Sequence, residues 1–284
     1  MAHTVEIGIF FVANTKVNEQ EAKNWMEHIG ANEFELDLVN KTDAEALIEL
    51  AGRRCYMSFQ KGMNPNVTKI RTDIGEYIEN ILKSGHGSVL EHAYYSFAIE
   101  GVSRVFTGEM NRHRAGMAIS EGSMRYIRMT DMGYWVPPSI EKSQVFMSEN
   151  GLWITKEGPE YDLKKFRSRV VFQQAFEDAE KHYAELLDIW KEELAPESKF
   201  HLKKQITSMM RRIVPMGIAT GGMWTGNLRA IRHILTMRTT AAAEEEIAFV
   251  FSNVMERIAE KEPTIFGDFV KDEFGFWSPK YMKV

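Results

Sequence analysis

Residues 166–194 carry Val170, Phe176, Ala179, Tyr183, Leu186, Leu187 and Trp190 at helical spacing. A helix this long with one apolar stripe must cover a core, and the stripe is read as core packing. Shorter segments of both kinds surround it. Val5–Val12, Glu33–Leu38, Tyr94–Ile99 and Ile127–Met132 read as strands, with Gly101 breaking the third. Glu19–Ile29, Thr42–Leu50 and Thr72–Ser84 read as helices, Gly85 capping the last of them. Val102–Met110, His201–Val214, Asn227–Met237 and Thr239–Ile258 complete the helical set. Gly217–Asn227, GIATGGMWTGN, reads as a tight passage between helices. It has no phosphate-loop lysine and no GxGxxG spacing. Residues 139–165 read as a surface insertion, and residues from about 266 as an aromatic, polar tail. No repeat or linker divides residues 1–284, which are expected to form a single catalytic domain.

Composition narrows the function classes. The net charge is −5, so bulk affinity for a nucleic acid polymer is not expected. One cysteine, Cys55, excludes an intrachain disulfide and fits a reducing compartment. No apolar run approaches a membrane-spanning length, and the start lacks a secretory leader. A cytoplasmic protein without a membrane partner is the expectation.

The chemistry concentrates in Ser103–Tyr126, SRVFTGEMNRHRAGMAISEGSMRY. Arg112, His113 and Arg114 stand together, and Glu121, Ser123, Arg125 and Tyr126 follow. Guanidinium forks suit planar anions such as phosphates and carboxylates. The intervening AGMAISEGS reads as a loop that could let backbone N–H groups approach a phosphate. Charge alone leaves a second reading open, a solvated basic helix end followed by a loop. His86 and His92 flank Glu91, but the spacing matches no zinc signature and no cysteine joins them, so no metal site is expected. On the helix after Asn227, Arg229 and His233 lie four apart and can face one ligand.

Taken together, these blocks resemble the flavin-dependent thymidylate synthase family. HGSVLEH, His86–His92, is similar to the family's His-x-Thr-Pro-Phe-Glu-His segment. Arg112–Arg114 with Glu121–Tyr126 resembles its Arg-His-Arg signature and trailing Glu-x-Ser-x-Arg-Tyr. Asn227, Arg229 and Arg238 resemble its late Asn-x-Arg helix and terminal arginine. Arg211–Pro215 and Arg53–Tyr56 match two weaker segments, all in order over roughly residues 50–250. The resemblance implies an α/β (α+β) fold with a central mixed sheet flanked by long helices. It also implies a homotetramer whose active sites are shared between subunits. The implied reaction moves a one-carbon unit from methylenetetrahydrofolate to C5 of a pyrimidine deoxynucleoside monophosphate. Reduced FAD supplies the hydride, and NADPH reduces the flavin. Cys55, His86, Ser88, Glu91, Asn227, Arg229 and His233 are then expected at the flavin. Arg112, His113 and Arg114 are expected at the junction of flavin, nucleotide and folate. Glu109, Glu121, Ser123, Arg125 and Arg211 are expected at the nucleotide, and Arg238 at its ring. Arg112, Arg114, Glu121 and Arg238 are the expected catalytic groups.

The chain also departs from that pattern. One extra residue separates Arg114 from Glu121, Ser120 stands for Asn, and Met124 for a small residue. Glu109 and Glu244 stand for Gln, and His233 for Asn. A carboxylate at 109 accepts from a cytosine-type amine and repels a uracil carbonyl. This opens a second expectation, a dCMP or dUMP hydroxymethylase or methylase. A non-catalytic oligomer and a nucleic-acid-binding module are the expectations from other classes. Cys55 and Ser123 lack the partners of an activated nucleophile, so the protein's role reads as orientation and electrostatics.

Overall fold

The computed structural model describes the backbone of residues 1–141, 145–147, 153–155 and 159–284, and the side chains of 1–140 and 163–284. The chain runs β1 (His3–Thr4), β2 (Gly8–Asn14), α1 (Glu19–His28), α2 (Asp43–Tyr56) and α3 (Ile74–Ser84). A 3-10 turn (Gly87–His92) leads into β3 (Tyr94–Ser103), α4 (Arg104–Met110), β4 (Met117–Glu121), β5 (Gly133–Tyr134) and α5 (Pro138–Glu141). Then come β6 (Val145–Met147), β7 (Trp153–Thr155), α6 (Pro159–Ile189), α7 (Phe200–Met210), β8 (Ala219–Asn227) and α8 (Leu228–Arg238). Last are α9 (Glu245–Lys261), α10 (Pro263–Phe266), β9 (Phe269–Lys271) and β10 (Trp277–Pro279). The fold is mixed α/β, with a central sheet in the order β2-β3-β8-β4 and flanking helices. No helix among the described residues is long and apolar enough to cross a membrane.

The chain divides into two compact units. The first comprises residues 1–8, 99–112 and 120–223; the second comprises 9–98, 113–119 and 224–284. In the first unit, β1 pairs in parallel with β5. From Phe176 on, the stripe of α6 covers a core with Met132, Tyr134, Met210 and Ile218, whereas Val170, expected in the same stripe, is exposed. Tyr134 and Phe176 stack there with centroids 4.4 Å apart. The expected insertion at 139–165 lies in part outside the described residues; its described backbone comprises the end of α5, the antiparallel pair β6–β7 and the start of α6.

In the second unit, helix starts follow their caps. Thr42 and Glu45 form a capping box on α2, Asp73 caps α3, and Gly85 ends α3 at φ 68°. Inside α2, Glu49 accepts from buried Arg53 and from Lys41 at 2.6 Å each. Arg53 also donates to the carbonyls of Ser58 (2.8 Å) and Arg71 (2.6 Å), which ties residues 57–71 to the helix.

Several elements correct the sequence reading. Glu33–Leu38 is not a strand: Phe34 and Leu36 alternate inward onto Met26, Leu50 and Phe59, and Asp37 turns the chain by accepting from Val39 and Asn40. Ile127–Met132 is also outside any strand, the short pairing falling at Gly133–Tyr134. Gly101 does not break β3, because φ of 76° lets the strand continue to Ser103 with the Glu6 carbonyl against its Cα. The glycine-rich Ala219–Asn227 is strand β8, not a helix connection. Its glycines admit neighbouring side chains across the backbone: a Cβ at Gly221 would meet the Glu100 carboxylate, and one at Gly226 the Met117 thioether. Part of the loop-like AGMAISEGS is strand β4. The tail from 266 packs on its own unit: Arg232 holds Asp268 at 2.6 and 2.9 Å, and Tyr281 donates to Glu79 at 2.7 Å.

Candidate active site

The expected nucleotide residues other than Arg238 belong to the first unit. Arg104, Asn111, Glu121, Ser123, Arg211 and Arg212 line a cavity of about 790 Å³, closed on one side by Val214, Pro215 and Ile218. Ser103 caps α4, accepting from the backbone N–H groups of Val105 and Phe106, and so aims the helix at this cavity. Glu121 ends β4 and accepts from Arg104 at 2.8 Å and from Asn111 at 3.2 Å. Arg211 begins the turn after α7, and its side chain has no hydrogen-bond or ion-pair partner among the described residues. The Pro215 that limits this turn supplies the apolar wall. Arg125 is exposed beside this region, with its carbonyl held by Thr207 at 2.7 Å. Tyr126 stacks on Phe200 at 5.9 Å, and a hydrogen bond from Lys204 lowers its phenol pKa.

Glu109 does not line the cavity. Its carboxylate accepts from Arg112 at 3.0 Å, one turn along and exposed. Arg114 is exposed in the loop before β4.

The expected flavin residues collect in the second unit. Glu91, Asn227, Arg229 and His233 line a cavity of about 370 Å³ together with Gly116 and Val284. Asn227 caps α8: its Oδ1 accepts from Ala230 N–H at 2.8 Å, and its Nδ2 lies where a Cβ on Gly116 would be 2.6 Å away. Gly116, at φ 71°, thereby brings the loop against the cap. Arg229 donates to Glu91 at 2.6 Å and to the Val284 carbonyl at 3.2 Å. His113 accepts at Nε2 from Arg238 at 2.8 Å and meets the His233 ring at 6.2 Å. The donor set suits part of a flavin dinucleotide: a guanidinium, an amide N–H and a helix start face one opening. The Arg229–Glu91 pair is about half exposed. Pairs of this kind contribute only about 0.2–1 kcal/mol, so an anionic ligand can displace the carboxylate.

His86 does not join that cavity. It packs edge-on against Tyr56 at 5.6 Å, beside a separate space of about 270 Å³ also lined by Lys69, Arg71 and Tyr77. Cys55 and Ser88 are exposed and line none of the three cavities. The sequence reading gave no role to Arg104, Asn111 or Arg212. Arg104 and Asn111 lie within Ser103–Tyr126 but outside its Arg-His-Arg and Glu-x-Ser-x-Arg-Tyr signatures, and no spacing rule ties Arg104 to a carboxylate 17 positions away.

The sequence profile of a family described as "Thymidylate synthase complementing protein" matches residues 37–264, well over half of the chain. The flavin-dependent thymidylate synthase of Mycobacterium tuberculosis is 35% identical over 232 residues, 80% of this chain and 82% of that protein. The chain belongs to the flavin-dependent thymidylate synthase family. It is an enzyme of that family, and flavin, folate and nucleotide biosynthesis are the terms of its chemistry. The flavin-dependent thymidylate synthase of Corynebacterium diphtheriae is 32% identical over 229 residues, 80% of each chain. Among solved structures, a UMP/dUMP methylase PolB from Streptomyces cacaoi bound with 5-Br UMP aligns with TM-score 0.59 at 17% identity. It covers 94% of both chains. At that identity the match speaks for the fold.

Proposed function

We propose that this flavin-dependent thymidylate synthase family member converts dUMP to dTMP, with the whole chain acting as one catalytic domain. The observation that carries the reading is the gathering of Glu121, Ser123 and an unpartnered Arg211 in one cavity. Arg211 and the exposed Arg125 bind the nucleotide phosphate, Ser123 hydrogen-bonds to it, and Glu121 accepts from the nucleoside. Arg238, oriented by His113, approaches the pyrimidine and stabilises charge on its oxygens. Arg112 and Arg114 hold anionic groups where nucleotide, flavin and folate meet. Asn227, Arg229, His233 and Glu91 hold FAD, with His86, Ser88 and Cys55 on its periphery. Bound FAD, reduced by NADPH, supplies the redox chemistry of transferring the carbon of methylenetetrahydrofolate. The active assembly is a homotetramer whose subunits complete one another's sites, in a reducing compartment.

Glu109 bears on the base. Its carboxylate is engaged by Arg112 and stands off the cavity wall, which argues against a role in accepting from a cytosine amine. Hydroxymethylation and dCMP methylation thus become alternative outcomes of the deciding experiment. The FAD-loaded enzyme is incubated with NADPH, labelled methylenetetrahydrofolate and either dUMP or dCMP, and products are identified by mass. Label in dTMP from dUMP alone is expected; labelled product from dCMP, or hydroxymethyl product from either, overturns the assignment. Colourless protein that takes up no added FAD would overturn the flavin site.

A further inference from the structure

We propose that Arg104 and Asn111 are positioning residues that set the carboxylate of Glu121 for the nucleotide, an inference that rests on the nucleotide reading of this cavity. Neither residue belongs to the motif blocks. Arg104 opens α4 and Asn111 follows its last residue, so one helix carries both ends of a clamp. Arg104 Nη1 donates to Glu121 Oε1 at 2.8 Å, and its Nη2 donates to the carbonyl of Gly122, the next residue along. Asn111 Nδ2 donates to the other oxygen, Oε2, at 3.2 Å. A carboxylate held on both oxygens cannot rotate. It keeps spare lone pairs in fixed directions and has no donor. Glu121 therefore accepts a hydroxyl or N–H from the ligand and disfavours a ligand oxygen at the same place.

The clamp also partitions charge. Arg104 is offset by Glu121. Arg211 has no partner among the described residues, and Arg212 donates only to the neutral Ser208 carbonyl. The two guanidiniums on the Pro215 side of the cavity are thus left uncompensated for a phosphate.

The clamp is not arranged for stability alone. Arg104 Nε and Asn111 Oδ1 are buried without a hydrogen-bond partner among the described residues. Buried unpaired polar atoms are destabilising, and an apolar wall would avoid both. Their presence fits a geometry set by what it does to Glu121 rather than by stability.

The test is a double-mutant cycle on the full-length FAD-loaded enzyme, read by calorimetric titration with dUMP, by steady-state kinetics and by bound FAD per chain. Glu121→Gln is expected to weaken dUMP binding. Arg104→Met alone is expected to weaken it about 10- to 100-fold, the range of a lost charge-assisted hydrogen bond. KM should rise more than kcat falls, with bound FAD unchanged. Added to Glu121→Gln, Arg104→Met should change affinity less than about threefold, because it acts through a group already disabled. Arg104→Lys should recover part of the affinity. If Arg104→Met fails to fold, Asn111→Leu enters the same cycle, with the same expected non-additivity. Additive losses, or wild-type dUMP affinity in Arg104→Met or Asn111→Leu, overturn the clamp while leaving the nucleotide site in place. Wild-type affinity in Glu121→Gln overturns the nucleotide reading of Glu121, and the clamp with it.

Discussion

Arg53 and Arg229 use the same guanidinium for opposite ends. Arg53 is buried against Phe34 and Tyr77, and its N–H groups are taken by Glu49 and two backbone carbonyls. Removing one partner of such a buried pair leaves a charge unpaired. Arg53→Met should lower stability by about 3–5 kcal/mol in chemical denaturation. Arg229 is half exposed, and its pairing with Glu91 is weak enough to yield to a ligand. Compared as flavin-free proteins, Arg229→Ala and the wild type should melt at nearly the same temperature, while the variant fails to hold added FAD, read as loss of visible absorbance after gel filtration. Arg125→Ala should weaken dUMP binding at least about tenfold while flavin stays bound; equal affinity would remove Arg125 from the phosphate site.

At the level of elements, glycines decide where strands can run. Gly101 sits at φ 76° with the Glu6 carbonyl against it, and Gly221 lies under the Glu100 carboxylate. Gly101→Ala should destabilise the protein by about 1–3 kcal/mol, combining a strained backbone with a steric clash. A second element-scale effect links α2, β3 and α10. Buried Glu262 accepts from Thr42 and Tyr95 at 2.6 Å each, Glu45 lies near it, and Lys261 precedes it on the chain. Burial raises the Glu262 pKa above 4.5, and Glu45 adds to the rise, while the two hydrogen bonds and Lys261 oppose it. The folded state therefore binds this proton more tightly than the unfolded chain. The stability gained is fully present below pH 4.5 and is lost as pH rises through the elevated folded value. Thermal melts across this window should show that fall in the wild type and a flatter profile in Glu262→Gln.

At the scale of the whole molecule, most nucleotide candidates belong to one compact unit and most flavin candidates to the other, with Arg238 and Arg112 as the exceptions. The chain crosses between the units five times, once within the Arg-His-Arg segment at the Arg112–His113 bond. Apolar side chains stand exposed along α6, among them Val170, Val171 and Phe172. A homotetramer is expected to cover such surface, and light scattering should return the mass of four chains. A monomer with full activity would remove the shared-site proposal.

The sequence by itself determined most of the helices, the Gly85 cap and the family. Those signals are local: the stripe of α6, the helix start at Thr42, Gly85, and the blocks at His86, Arg112 and Asn227 each lie within a few turns of chain. It misread the glycine-rich Ala219–Asn227 because glycines in a strand are justified only by what crosses them, here Glu100 and Met117. Glu109 pairs locally with Arg112, three positions on, while only the tertiary fold sets His86 beside Tyr56, outside the cavity lined by Arg229. The clamp on Glu121 was out of reach for the same reason. A motif fixes residue types at short separation, whereas contact between Arg104 and Glu121 exists only once α4 and the end of β4 are packed together.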